Sequence, residues 1–471
     1  MISIVERLLP TDEIGRFQSS LAKYPPRAIR LRPSKLFDTT PMMTSQVPWF
    51  SRGRIVESSS IRPSQFLEYV TGDYYIQDAG SMLALALMDV QPGEVICDLC
   101  AAPGGKASSI LESLSECDYE KSAGGWLLAN ESIRSRLPIL EYALARTGHL
   151  RYATLNCDPA QVAEKFPATF DAVLVDAPCS GQALVARDKH DYSAFEQRHI
   201  DHSAARQRRI LLEAVKLLKP GGRLVYSTCT FAVEENESQV DFLMNEFPGQ
   251  LEPIRFEHLS NWQSSISPGC YRVWPHRDAT AGAFAAGLRL VGEAVSTTRT
   301  TEPKYSGKHK RRKSSEPSNL SGEEGICLLG QYGLPTRLRA KSFGDRITAI
   351  ADDVLIDDAI WLTRWPELLQ KFGSRWEPQY ALAIANNHYF NHFRLVELSD
   401  TEVKSYLMGQ AISKAQDGNN LSADRNAASP TQSPWCIAAY NGKAIGWMKD
   451  AGNRFNNQLP KIAHQNLSIA Q

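Results

Sequence analysis

From about residue 75 to residue 290 short apolar runs alternate with stretches of helical periodicity, the pattern of a doubly wound α/β sheet. Five runs read as strands: EVICDLC (Glu94 to Cys100), GWLLANE (Gly125 to Glu131), RYATLN (Arg151 to Asn156), FDAVLVD (Phe170 to Asp176) and RLVYSTCT (Arg223 to Thr230). FDAVLVD, dense in Val and Leu, suits a sheet centre. The apolar positions Ile210, Leu211, Ala214, Leu217 and Leu218 mark a long helix closed by Pro220-Gly221-Gly222, and VEENESQVDFLMNEF a helix after the fifth strand. Ala79 to Met88 (AGSMLALALM) is half the roughly 20 residues a membrane span needs and reads as a buried helix.

The flanks differ. Residues before about 75 carry Pro25, Pro26, Arg27 and scattered arginines, the pattern of a small separate unit. Between Ala294 and Leu320 seven basic residues (Arg299, Lys304, Lys308, Lys310, Arg311, Arg312, Lys313) stand against Glu302 and Glu316, the composition of a flexible linker. A polar stretch, Ala415 to Ser433, separates two aromatic-containing C-terminal pieces. The chain has 471 residues, 43% hydrophobic and 22% charged, which excludes a largely disordered protein. Its 52 basic and 52 acidic side chains cancel, which argues at first against a nucleic-acid binder. Nine thinly spread cysteines do not form a disulfide framework, and no signal peptide is expected; the reading is a cytoplasmic protein with no membrane partner.

Candidate chemistry begins where the first strand runs into Cys100-Ala101-Ala102-Pro103-Gly104-Gly105-Lys106. Two adjacent glycines after a proline make a tight turn that lets backbone approach a ligand, at the carboxyl end of a strand where open α/β sheets bind nucleotide-like groups. Glu131 ends the second strand, 26 residues after Gly105, where its carboxylate can accept hydrogen bonds from two ribose hydroxyls. Asp158, past the third strand, is positioned for an adenine.

Asp176-Ala177-Pro178-Cys179-Ser180-Gly181 follows the fourth strand and Ser227-Thr228-Cys229-Thr230 ends the fifth, so two cysteines emerge at the mouth of one cleft. A lone cysteine is most often a small buried hydrophobe; two at neighbouring strand ends point to thiol chemistry. Cys97 and Cys100 have C-x-x-C spacing, but no second pair completes four ligands, so no metal is expected.

CAAPGGK, DAPCSG and YSTCT, in this order and spacing, resemble the Nop/Sun family of RNA cytosine-5 methyltransferases. The likeness extends to PPRAIRLRPSKL, YIQDAGSML and RVWPHRDATAGAFAAGL, and thus over about residues 20 to 290. RWEPQYALAIA (Arg375 to Ala385) and AIGWMKDAGNRFNNQLP (Ala444 to Pro460) are similar to the bacterial branch that methylates 16S rRNA and ends in a PUA-like module. The resemblance implies a Rossmann-like S-adenosylmethionine-dependent methyltransferase fold with a small N-terminal α/β RNA-binding unit and a C-terminal β-rich PUA-like module. On that basis the expected segments are 1–75 (RNA-binding), 76–292 (catalytic), 293–322 (basic linker), 323–395 (intermediate) and 396–471 (PUA-like).

The resemblance also implies roles. Cys229 attacks C6 of cytosine, making C5 nucleophilic, and Cys179 assists release. Lys106 is the family's neighbour in this cleft, and Asp176 is the candidate for holding the N3/N4 edge as a protonated or hydrogen-bonding carboxyl, its pKa raised by burial against the base. Cofactor contacts are expected from Cys100 to Lys106, Glu131, Arg136, Asp158 and Asp176. A free cysteine with a pKa near 8.5 is only about 3% ionised at pH 7, a penalty of roughly 2 kcal/mol that something in the cleft must offset. DNA cytosine-5 enzymes place their nucleophile in a Pro-Cys turn like Pro178-Cys179, but here no Glu-Asn-Val partner is present and Cys229 is additional.

This chain departs from the family pattern at Arg32-Pro33, at Gln182-Ala183-Leu184-Val185 and at Gly282-Ala283-Phe284. Those departures bear on target recognition rather than on the two thiols. After DAPCSG, Arg187, Lys189, Arg198, Arg206, Arg208 and Arg209 with Tyr192 and Phe195 form a segment able to hold phosphates and stack a base. The zero net charge therefore sums acidic groups at the cofactor end and basic groups in the linker, the PPR region and the stretch after DAPCSG. The favoured partner is RNA, 16S rRNA or a small-subunit precursor, acted on by a monomer. The alternatives are the same chemistry on tRNA and a non-catalytic ribosome-assembly factor. KHKRRK (Lys308 to Lys313) reads equally as a nuclear address or an RNA tether.

Overall fold

The protein is described here as a computed structural model covering residues 5–33, 42–115, 125–295, 323–331, 338–351, 363–388, 393–414 and 433–464. KHKRRK with nearly all of the expected 293–322 linker, and the polar stretch from Ala415 except Ser433, lie outside the described residues. The chain forms two compact units. One comprises Met1–Pro63, Asp73–Leu137 and Thr154–Thr297; the other comprises Ser64–Gly72, Pro138–Ala153 and Thr298–Gln471.

In the first unit, strands β1 (Arg27–Leu31), β2 (Thr44–Gln46), β3 (Gly53–Val56) and β4 (Tyr74–Ile76) make a small antiparallel sheet ordered β2-β3-β1-β4. The main sheet holds β5 (Val95–Asp98), β6 (Trp126–Asn130), β7 (Tyr152–Leu155), β8 (Phe170–Asp176), β9 (Leu218–Thr228), β10 (Leu251–Pro253), β11 (Cys270–Val273) and β12 (Ala283–Leu290). Its order is β10-β12-β9-β8-β5-β6-β7, with β11 beside β12. β6, β5, β8 and β9 pair in parallel, and β12 runs antiparallel to β9. The five expected strands are all present. The FDAVLVD strand is central and almost wholly buried, because a parallel sheet covered on both faces demands apolar side chains on both.

Parallel pairing has a functional consequence. Asp98, Asn130 and Asp176 all end their strands at the same edge of the sheet, so the loops after them gather there.

The buried charges of this unit tie its parts together. Arg30 is fully buried, pairs with Glu112 on the helix Gly105–Leu114, and donates to Gln77 (3.0 Å) and Ser108 (2.8 Å). Arg32 and Arg52 also lie within 4 Å of the Glu112 carboxylate. These arginines anchor the small sheet to the helix that follows the CAAPGGK turn, and Arg30 is therefore not among the PPR-region charges that can meet phosphate. Phe195 likewise is buried in a core with Phe17, Phe231 and Trp274, so it offers no face to a base, whereas Tyr192 is exposed.

The second unit contains two further sheets. β13 (Leu338–Phe343), β14 (Arg346–Ala351), β15 (Glu367–Phe372) and β16 (Arg375–Pro378) form an antiparallel meander. β17 (Leu395–Glu397), β18 (Ile412–Ser413), β19 (Trp435–Tyr440), β20 (Lys443–Asp450) and β21 (Arg454–Asn457) are ordered β17-β19-β20-β21-β18 around buried Trp447 and Tyr406. No described helix is long and apolar enough to cross a membrane.

Candidate active site

The CAAPGGK turn is held by its own backbone. Ala101 N–H donates to Asn130 O (2.8 Å), Gly104 N–H to Ala101 O (2.8 Å), and Gly104 sits at φ +106°, a conformation that favours glycine. Beside it lies a cavity of about 700 Å³, within the range of small-molecule sites. Cys100, Ala102, Pro103, Glu131, Arg136, Asp158 and Asp176 all line it. Ala101, Gly104 and Gly105 shape the turn behind this wall rather than the wall itself. Glu131 is buried, accepts from Ile133 N–H (2.8 Å), and pairs with Arg136 (3.1 Å), whose guanidinium also donates to Ala102 O (2.6 Å). Asp158 caps the helix Pro159–Lys165.

A second cavity, of about 530 Å³, opens on the other side of Asp176. Tyr24, Asp78, Lys106 and Arg187 line it, and it shares Pro103, Asp176, Ala177, Leu184 and Cys229 with the first. Lys106 thus belongs to this second cavity, where its Nζ lies 2.7 Å from Asp176 Oδ2. Ser227 Oγ donates to Asp176 Oδ1 (2.7 Å). The Asp176 side chain is 37% exposed, so its burial waits on a base seated against it. The buried carboxyl is Asp98. Burial, then the negative charge of Asp176, pushes it up to about 8 against the pull of Lys106 and the Cys100 backbone N–H; neither oxygen has a partner at full hydrogen-bonding geometry.

Where the two cavities meet, Cys179 Sγ and Cys229 Sγ are 3.1 Å apart, and Cys229 N–H points at Cys179 Sγ (3.4 Å). Both are free thiols. Two sulfurs so close cannot both ionise. The hydrogen bond to Cys229 pushes the Cys179 thiol well up, and burial and nearby Glu235 add to it, so Cys179 keeps its proton.

Glu235 gives no sign of its place in the sequence, where VEENES reads as a solvated acidic helix start. It is wholly buried and accepts from Ser180 N–H (2.9 Å) and Gln207 Nε2 (2.9 Å), while Gln207 also donates to Pro178 O (3.1 Å). These bonds fix the turn that presents Cys179. Arg206, Arg209 and His190 also line the first cavity. Arg187 is committed to Asp78 and stacks on Tyr24. Among the described residues no cluster of three or more His, Cys, Asp or Glu is arranged to hold a metal ion.

Residues 85–289 match the family model described as 16S rRNA methyltransferase RsmB/F. The chain carries an RsmB/F methyltransferase domain. Residues 393–463 match the methyltransferase RsmF PUA domain, which covers β17 to β21. Beyond the RsmB/F domain the likeness runs nearly end to end. The ribosomal RNA small subunit methyltransferase F of Erwinia tasmaniensis is 28% identical over 97% of this chain and 94% of its own length. That of Vibrio campbellii is 29% identical over 88% and 85%. A solved methyltransferase homolog from Pyrococcus horikoshii is 26% identical, with a TM-score of 0.52 over 61% of this chain and 93% of that one.

Proposed function

We propose that this protein transfers a methyl group from S-adenosylmethionine to C5 of a cytosine in structured RNA, with 16S rRNA of the small subunit as its substrate. One observation carries the reading: two cavities of cofactor and nucleotide size meet at Asp176 and Cys229, with a second thiol in contact. The curated relatives, named for small-subunit rRNA, support the substrate. The first cavity fits S-adenosylmethionine: buried Glu131 can take the ribose hydroxyls, Asp158 can take the adenine end, and the CAAPGGK backbone can take the amino-acid part. Bound there, the cofactor supplies an electrophilic methyl group.

The chain's own residues do the rest. Cytosine enters from the second cavity, and the Asp176 carboxylate, backed by Lys106, accepts from its N4 amino group. The Cys229 thiolate bonds to C6, and the C5–C6 π pair becomes the nucleophile at C5. Forming that bond turns the Cys229 sulfur into a thioether, a poor acceptor, and so weakens the hydrogen bond that is the largest cause holding the Cys179 proton. Cys179 then releases its proton to solvent and, as thiolate, takes the C5 proton; the C5–H bonding pair re-forms C5=C6, and the C6–S bond breaks to return Cys229 as thiolate.

Two variants test this. Cys229→Ala is expected to lose methyl transfer to small-subunit RNA by a thousandfold or more. Cys179→Ala is expected to accumulate a covalent protein–RNA adduct that resists denaturing electrophoresis. Exchanged phenotypes would assign the attack to Cys179. Bisulfite mapping of rRNA from a deletion strain names the cytosine, and an unchanged map would remove 16S rRNA as the substrate.

A further inference from the structure

The C-terminal unit holds a cavity of about 680 Å³ that the chemistry above does not use. Its wall includes Arg375, Trp376 and Glu377 of β16, Phe393, Trp435 at the start of β19 and Lys449 of β20. Arg375 to Pro378 are the RWEP of the segment singled out in the sequence, and all four residues face this space.

The two indoles are only half-buried. Trp435 is braced edge-on by Trp447 at 6.2 Å, and Trp447 is fixed in turn by its N–H bond to Gln379 O (2.8 Å). Lys449 Nζ lies 5.0 Å above the Trp435 ring and 3.4 Å from Glu377, while Lys371 Nζ lies 5.4 Å from the Trp376 ring and 3.4 Å from Glu324. Arg375 is exposed at the rim. A purely apolar ligand would make no use of Glu377, Lys449 or the rim guanidinium of Arg375, and a bare phosphate would have no use for two indoles. A nucleotide uses both: its base stacks on an indole, its amino group donates to Glu377, and its phosphate lies against the rim cations.

We propose that this cavity holds an unstacked nucleobase of RNA, its flanking phosphate on Arg375 and Lys449. The site is separate from the methyl-transfer cleft and rests on the reading of RNA as the ligand.

The test uses the full chain and a short single-stranded ribo-oligonucleotide of mixed sequence, without cofactor. Short-wave ultraviolet cross-linking is expected to yield adducts on the peptides containing Trp376 or Trp435. Arg375→Glu and Trp435→Ala are expected to weaken oligonucleotide binding about tenfold each, with melting curves confirming the fold. Arg375 is exposed, so its variant remains informative where Trp435→Ala fails to fold. Adducts confined to residues 5–295, with affinity unchanged in Arg375→Glu, would overturn the site while leaving methyl transfer untouched. Loss of methyl transfer in Cys229→Ala is read independently. Cross-links from these tryptophans to a ribosomal protein instead of RNA would also overturn the proposal.

Discussion

Around Glu112 three guanidiniums from the N-terminal strands and their flanks converge on one buried carboxylate, and Arg30 has further acceptors in Gln77 and Ser108. At the edge of the main sheet, Asp98 is equally buried, yet both its oxygens lack a well-formed hydrogen bond, and the charges acting on it are those of Asp176 and Lys106. The first cluster sets three cations around one carboxylate and holds the helix after the CAAPGGK turn in place. The second lies under Asp176 and Lys106, which line the cavities where a ligand and a reaction can be accommodated. A buried carboxylate therefore signals stability or chemistry according to what surrounds it, not according to its burial.

The sharpest way to break this contrast is to remove the shared carboxylate. Glu112→Ala leaves Arg30 buried without its counter-ion, and a loss of about 3–5 kcal/mol is expected in denaturant unfolding. A loss under about 1 kcal/mol would mean that Gln77 and Ser108 suffice to satisfy the arginine, and the cluster would be no anchor.

Asp98 should respond in the opposite sense. Its folded carboxyl titrates at about 8, against about 4 in the unfolded chain, so the folded state binds the extra proton between those values. This contribution to stability is complete below about pH 4 and is lost as the pH rises through about 8. Asp98→Asn should therefore match the wild-type chain in acid and become the more stable of the two toward pH 8. Melting temperatures of both proteins, taken across that range without cofactor, check it; parallel curves would show that the carboxyl finds a partner.

Much of this edge was legible in the sequence because it is local. CAAPGGK, DAPCSG and YSTCT each sit on one strand end and its turn, and the strands announce themselves as apolar runs. The Arg30–Glu112 contact was not legible, since it joins positions 82 residues apart and nothing in PPRAIRL says which arginine turns inward. Glu235 and Glu237 were hidden for a similar reason. Both are wholly buried, Glu237 against Arg272 (2.7 Å), although a run of acids normally marks a solvated helix start. The cancellation of 52 charges by 52 conceals the same fact: several of the arginines are consumed inside the fold.

The smallest effect is expected in the turn itself, and it separates backbone from side-chain causes. Gly104 sits at φ +106°, and replacing it with alanine should cost about 1–2 kcal/mol through strain alone. Gly105 has no such strain; a methyl group there would meet the Tyr75 ring at 3.2 Å, a contact that a small ring shift relieves. Gly105→Ala should then cost less than Gly104→Ala, and Gly104→Asn should recover part of the loss, because asparagine tolerates left-handed backbone better than alanine does. Equal losses for Ala and Asn at 104 in denaturant unfolding would place the cost in crowding. The turn would then be held by its neighbours rather than by the freedom of its glycine.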